Sequence, residues 1–399
     1  MKEWIDKPNS EAMRNILALG FVSFFTDISS EMCFSILPTF ILGLPGATRA
    51  ILGIIEGLAE ALSYGMRAVS GFFSDEFRKR KAVVFVGYTI SNVIKPLFAV
   101  AQTTIEALII RVGDRIGKGV RTSPRDALLS ESVSEKRLGV AFGLHRTLDQ
   151  AGAILGPIFA STLLLILGLT VRDVFAFSFI PGIMALFILL IFVKERVIKP
   201  KEKFKLLRGI RDVLTGRLSL LLLIVSFFSL GAFNFSFVLL RAKEIGVSES
   251  LIPIVYAVIN VTHTAVAIPA GLLSDRIGKE KVLITGYGTF LLSALLLTLP
   301  YSNFLYAFLI AAVYGIYAGI VETVQRALIP RYSRNDLRGT AYGLYYLVVG
   351  SSFMVSNTVI GTLWEYVNLE TAVSYSIITS LIAIVGMIAF LRRQVKKSL

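Results

Sequence analysis

Gly71-Phe-Phe-Ser-Asp75-Glu-Phe-Arg78-Lys79-Arg80-Lys81 returns two hundred residues later as Gly271-Leu-Leu-Ser-Asp275-Arg276-Ile-Gly278-Lys279-Glu-Lys281. Each copy follows a long apolar run and precedes another. Each packs a glycine, an acid and a basic cluster into a turn too short to be a domain. The register holds beyond the turn. Ala127-Leu128 recur as Ala327-Leu328, and Gly139, Ala141, Gly143 and Leu144 recur as Gly339, Ala341, Gly343 and Leu344. A fixed offset of this kind marks a duplicated half, and it governs every later step of the reading.

Outward from the two turns, the chain is apolar. Hydrophobic residues make up 55% of the 399 residues and charged residues 17%. Runs of about 20 apolar residues, the length that crosses a bilayer as helix, recur along the whole chain. Twelve helical spans are expected: Asn15–Leu42 (bent near Pro38), Ile51–Phe73, Ala82–Ala101, Thr104–Leu129, Leu138–Leu167 and Val171–Val193, then Arg217–Leu240, Leu251–Ser274, Val282–Leu299, Phe304–Ile329, Leu337–Glu365 and Thr371–Leu391. The expected fold is an all-α membrane protein of two six-helix bundles related by a pseudo-two-fold axis. The domains are 1–193, a linker 194–216, and 217–399. Met1 to Asn15 is polar and the run after it is too long for a signal peptide, so the first span is expected to stay as a helix.

The net charge of +14 finds its explanation in where the basic residues fall. One set of alternate ends holds Arg14, Arg78 to Lys81, Lys136, Arg137, the linker lysines and arginines, Arg276, Lys279, Lys281, Arg331, Arg334, Arg338 and the tail. The opposite ends hold little beyond Arg49, Arg172, Arg241 and Lys243. Cytoplasmic loops carry such an excess of Lys and Arg, so both termini and the linker are expected in the cytoplasm, in a multi-pass protein of the cell membrane. Anionic lipid is the expected contact of these bases. Nucleic acid is not: the linker's bases alternate with Glu195, Glu202 and Asp212, and it offers no aromatic stacking platform. Cys33 is the lone cysteine, and His145 and His263 lack the partners of a zinc site. No metal, cofactor or catalytic residue is expected, and the chain reads as a monomer.

Ionisable residues at membrane depth cost at least about 2.5–3.5 kcal/mol each, so they usually face a cavity and have a partner. The first half carries many. Asp27 and Glu31 are four apart on one helix face, as are Glu56 and Glu60; Lys95 stands beside Pro96. Arg111, Asp114, Arg115 and Lys118 follow in the fourth span, and His145, Arg146 and Asp149 in the fifth. Such charges either take and release protons or tie helices together. Burial raises a carboxyl pKa and a nearby arginine lowers it, so breaking a pair can move it across neutral pH. Asp27 and Asp149 are the best placed by depth, with Arg115 as counter-charge. In the second half, Glu322 and Arg326 form a local i, i+4 pair, and His263 is either a substrate or proton contact or a hydrogen-bonded structural histidine. Gly152-Ala-Ile-Leu-Gly156-Pro157 is either a packing stripe or a hinge.

At these residues the chain resembles the major facilitator superfamily over essentially its full length. The family's loop signature is glycine, three residues, aspartate, arginine, one residue, glycine, then bases. Gly271, Asp275, Arg276 and Gly278 meet it; in the first copy Gly71, Asp75, Lys79 and Arg80 match, while Glu76 and Arg78 depart. The resemblance implies a cytoplasmic gate at these turns. Arg115-Ile-Gly-Lys118-Gly119 resembles the family's proton-linked motif, with Lys118 in place of the usual glutamine, and Gly152 to Pro157 resembles its antiporter motif, with Ala160 and Ser161 where glycines are usual. The family implies alternating access around a central cavity. The expected activity is proton-coupled efflux of a small organic solute (drug-like, amphipathic or a metal chelate). The alternatives are uptake or facilitated diffusion of a metabolite, and a sensor that moves nothing.

Overall fold

The computed structural model describes residues 10–77, 79–132, 138–195, 214, 216–301, 303–333 and 337–398. Among them the chain is helical, with no strand. The helices are α1 (Ser10–Phe34), α2 (Leu37–Leu42), α3 (Arg49–Phe77), α4 (Arg80–Ile94), α5 (Thr104–Glu131), α6 (Leu138–Leu165), α7 (Val171–Phe177) and α8 (Phe179–Phe192). They continue with α9 (Arg217–Gly231), α10 (Phe235–Glu244), α11 (Ile252–Ile277), α12 (Lys279–Thr298), α13 (Phe304–Tyr332), α14 (Arg338–Tyr366) and α15 (Leu369–Ser398). Ten stretches are long and apolar enough to cross a membrane. α3 and α5 are long enough, at 29 and 28 residues, but carry charges along their length.

Three runs expected as single helices are interrupted. The first breaks at Ser35–Ile36, and Pro38 lies in the first turn of α2, where its missing N–H costs nothing. The sixth breaks at Ser178. The seventh breaks at Ala232–Asn234: Ala232 is extended, and Asn234 caps α10 by accepting the Ser236 N–H at 2.9 Å. The third span keeps going past Ile94 as a 3-10 turn, Lys95–Ala99, with Pro96 near its start.

By contacts the chain divides into two compact units. The described parts of the first lie in Met1–Phe34, Gly65–Ala101 and Ile109–Phe204; those of the second lie in Ser35–Tyr64, Gln102–Leu108 and Lys205–Leu399.

In the first unit α1 packs on α6 and α8 around Leu19, Val22, Tyr88, Leu129 and Leu189. Glycines set the spacing. A Cβ on Gly156 would sit 2.8 Å from the Ile28 carbonyl oxygen, and one on Gly152 would run into the Phe24 carbonyl. In a membrane, where water does not drive helices together, such backbone approach is a main source of helix adhesion. α6 runs through Pro157 without interruption, so Gly152, Gly156 and Pro157 lie in a packing stripe against α1.

In the second unit α13 packs on α11 and α12, and α9 on α14 and α15. Phe228 stacks on Tyr287 with ring centroids 3.8 Å apart, beside Phe290 and Tyr317. Residues 49–64 of α3 belong here. Gly53 and Gly57 meet the backbones of Asn357 and Met354, a Cβ on Gly57 lying 2.9 Å from the Met354 carbonyl oxygen, and Gly361 meets Arg49 from the other side.

The duplication is visible in an ion pair. Arg80 in the first unit pairs with Glu131, and Glu280 in the second pairs with Arg331 at 3.3 Å and accepts the Tyr332 hydroxyl. The positions are the same two under the 200-residue offset, with the charges exchanged. The expected consequence is a charge-swap rescue. Glu280→Arg should lower the thermal midpoint of the purified protein, by a loss of roughly 3 kcal/mol for a pair with one buried member. Adding Arg331→Glu should restore most of it, read by thermal denaturation in detergent.

Candidate functional site

Ser23, Asp27 and Glu31 fall on one face of α1, and His145 and Asp149 on the face of α6 that carries Gly152 and Gly156. Because those glycines let the two backbones touch, short side chains can meet across the gap. Asp149 accepts the Ser23 hydroxyl at 2.5 Å and the Arg146 guanidinium at 2.8 Å. Asp27 lies near Asp149, with Lys118 and Glu31 close by. Arg125 reaches Ser23 at 3.4 Å and pairs with Asp126 at 2.8 Å. The arrangement gathers carboxyl groups, a hydroxyl and guanidiniums into one cluster.

The arginine paired with Asp149 is Arg146. Arg115 lies ten residues from Arg125 on α5, about 15 Å along the axis, and rests over the Phe34 ring with its Cζ 4.7 Å from the centroid. It belongs to a second buried group. Arg111 also covers Phe34 at 4.0 Å and stands 3.8 Å from Asp114. Asp114 accepts Ser91 at 2.6 Å, and Lys95 donates to Ser30 at 2.6 Å and Asn92 at 3.1 Å. These groups are enclosed by protein and tied to α1, α4 and the 3-10 turn, which suits a static brace.

Glu56 and Glu60 belong to the other unit. Glu56 is 1% exposed, and the Asn234 side-chain amide points to it at 3.4 Å. Asn234 stands at the helix break, and three of the backbone groups there are met by side chains from elsewhere. Ser356 donates to the Ala232 carbonyl and Tyr314 to the Phe233 carbonyl, both at 2.8 Å, and the Asn234 N–H donates to Asn357 at 2.9 Å. A broken helix survives at membrane depth on these terms only, with neighbouring side chains replacing the lost helical bonds. Sequence reasoning missed this break; the one signal was Gly231 followed three residues later by Asn234, a good cap residue. Past the break, Arg49 ties the N-terminal end of α3 to Glu244 at 2.7 Å and Glu365 at 3.1 Å.

The second unit also gathers tyrosines. Tyr346 lies against Tyr64, Tyr345 and Tyr342 with centroids 5.6, 5.3 and 6.3 Å away. Tyr345 donates to Gln325 at 3.1 Å, and Gln325 to Tyr287 at 3.0 Å. Glu322 and Arg326 pair at 3.2 Å, as the spacing implies. Under the 200-residue offset, His145, Arg146 and Arg125 correspond to Tyr345, Tyr346 and Gln325. The cations of one unit stand where the other has rings and an amide. His263 lies on α11 with its backbone carbonyl against Gly319 of α13. At the repeated turns, Lys279 pairs with Asp275, and Gly278 ends α11 at φ 103°, a backbone conformation that favours glycine. The side chain of Asp75 and the surroundings of Gly71 lie outside the described residues.

Long apolar helices that enclose charged groups fit a membrane transporter. The chain belongs to the major facilitator superfamily, whose sequence profile matches residues 19–240 and again 219–399. It is 36% identical over 364 residues, 89% of each chain, to the uncharacterized MFS-type transporter MJ1317 of Methanocaldococcus jannaschii. It is 24% identical over 303 residues, 72% of each chain, to the multidrug resistance protein MdtG of Escherichia coli. A solved structure of the nucleoside transporter NupG, in a mutant form, is similar in fold with a TM-score of 0.80 at 12% identity, covering 94% of this chain and 99% of that one. The chain is a transporter and not an enzyme.

The glycine stripe gives a direct check on the site. Gly152→Val should force α6 off α1 and destabilise the protein by about 1–3 kcal/mol. Gly139→Ala, on the same helix with nothing within 4 Å of the added Cβ, should leave the thermal midpoint unchanged.

Proposed function

We propose that this transporter exports a small amphipathic organic solute in exchange for protons by alternating access. The chain would cross the cell membrane twelve times, with α3 and α5 as the two charged spans, both termini cytoplasmic, and residues 194–216 joining halves 1–193 and 217–399. The observation that carries the reading is Asp149 bonded by Ser23 and Arg146, with Asp27 on the same helix face as Ser23. A uniporter has no need to keep two acids and a guanidinium at one point within the bilayer, given the cost of each. Lys118 beside Asp27 adds a second cation whose approach favours proton release. The relative named for multidrug resistance supports export of a drug-like solute.

The second unit supplies the outer closure. Residues 49–64 of α3 lie backbone to backbone on α14, and Arg49 latches that end onto Glu244 and Glu365. Opening outward requires this contact to part. That would expose Glu56, Asn234 and the broken stretch of the seventh span to water. The repeated turns around Asp75 and Asp275 would close the cytoplasmic side.

The test is transport in liposomes with a pH-sensitive dye inside. Cationic dyes, organic anions and iron chelates would be screened, with wild type compared against Asp27→Asn and Asp149→Asn. A substrate pulse is expected to move protons in wild type, and either substitution should reduce that signal to background. Substrate movement without protons, or mutants equal to wild type, would make the acids static ties and favour uniport.

The latch has its own consequence. In a Cys33→Ser background, Ser356→Cys is expected to resist an impermeant thiol reagent added outside, since Ser356 is enclosed in this state. Adding Arg49→Ala removes ion pairs worth about 1 kcal/mol and should raise the labelling rate several-fold.

A further inference from the structure

We propose that Tyr64, Tyr342, Tyr345 and Tyr346, with Glu60 and Glu322 beside them, form a site for a lipophilic organic cation. The assignment rests on the exporter reading above and commits its cargo to one charge sign. A ring face attracts a cation placed within about 6 Å of its centroid, and the attraction reaches about 2 kcal/mol or more where water is excluded. Here three rings surround Tyr346 at 5.3 to 6.3 Å. Two of them are held in place: Tyr345 through Gln325, and Tyr342 through the Arg326 carbonyl at 3.1 Å. Fixed rings offer their faces without a further ordering cost.

The group is also open to a ligand. Tyr64, Tyr342 and Tyr346 are only partly buried, and the Glu322 side chain is 52% exposed. Tyr346 stands eight residues into α14 and Glu322 ten residues from the end of α13, so both are about 12–15 Å from the helix ends. Half-exposed carboxylates at that depth face water or cargo rather than lipid.

Charge points the same way. Glu60 precedes Tyr64 by one helical turn. Glu322 acts electrostatically on Tyr314, Tyr317 and Tyr345, and Glu60 and Glu56 act on Tyr314. Arg326 opposes them, but its guanidinium is turned onto Glu322, bonding the carboxylate at 3.2 Å and the carbonyl at 2.7 Å. The matching positions of the first unit hold His145, Arg146 and Arg125 in place of Tyr345, Tyr346 and Gln325, so the ring cluster belongs to the second unit.

The experiment uses two probes of the same shape and opposite charge, tetraphenylphosphonium and tetraphenylborate, with the purified full-length protein. Equilibrium binding of radiolabelled tetraphenylphosphonium is expected to be saturable and not displaced by tetraphenylborate. Tyr346→Leu should weaken it about tenfold or more, Tyr346→Phe should keep it, and Glu60→Gln and Glu322→Gln should each weaken it several-fold. If Tyr346→Leu lowers the thermal midpoint, the Phe and Gln variants carry the comparison. Absence of saturable binding, or binding equal in wild type, Tyr346→Leu and both Gln variants, overturns the site. If the liposomes meanwhile move an anionic or neutral solute against protons, the cation assignment falls and the exporter reading stands. If tyrosine-dependent binding occurs and no solute moves, the site stands and the exporter reading falls.

Discussion

The contact between α1 and α6 is the constraint on which the rest of the first unit depends. Aspartate is a short side chain, and two of them on neighbouring helices meet only if the backbones nearly touch. Gly152 and Gly156 allow that approach, and the result is a carboxyl pair joined to Ser23 and Arg146. Asp149 itself is buried there, which strengthens the bonds it accepts. Packing and chemistry are thus one feature here: a side chain at position 152 would disturb the helix pair and the acids together.

The two repeats have used one architecture for different ends. The Arg80–Glu131 and Glu280–Arg331 pairs show that the scaffold is common to both, since the tie persists even with its charges exchanged. Deeper in, the repeats diverge. The first unit concentrates acids and guanidiniums, with one group around Asp114, Arg111 and Lys95 and another around Asp149. The second concentrates rings, a broken helix and a glycine-lined contact between α3 and α14. A proton site and a cargo site so divided could respond to one conformational change without competing for the same side chains.

Much of this was legible in the chain itself. The apolar runs are a local property, and ten of them stand among the described residues as helices long and apolar enough to cross a membrane. What was not legible depends on distant partners. The stretch Gly231-Ala-Phe-Asn234 contains no proline and reads as continuous helix; it breaks because Ser356, Tyr314 and Asn357, some 80 to 125 residues away, satisfy the backbone it frees. Arg115 was assigned to the acids as their counter-charge; its guanidinium lies over the Phe34 ring, and it is Arg146 that pairs with Asp149. Glu56 has the spacing of a companion to Asp27, yet the outer part of α3 packs with the second unit and takes Glu56 to Asn234.

The claim at the centre of the account is that Asp27 and Asp149 share a proton. Infrared difference spectroscopy on the protein in lipid, recorded as the pH is stepped, tests it without knowledge of the cargo. The account predicts a band from a protonated carboxyl group that disappears as the pH rises and that Asp27→Asn removes. A spectrum without such a band, or one that Asp27→Asn and Asp149→Asn both leave unchanged, would contradict it.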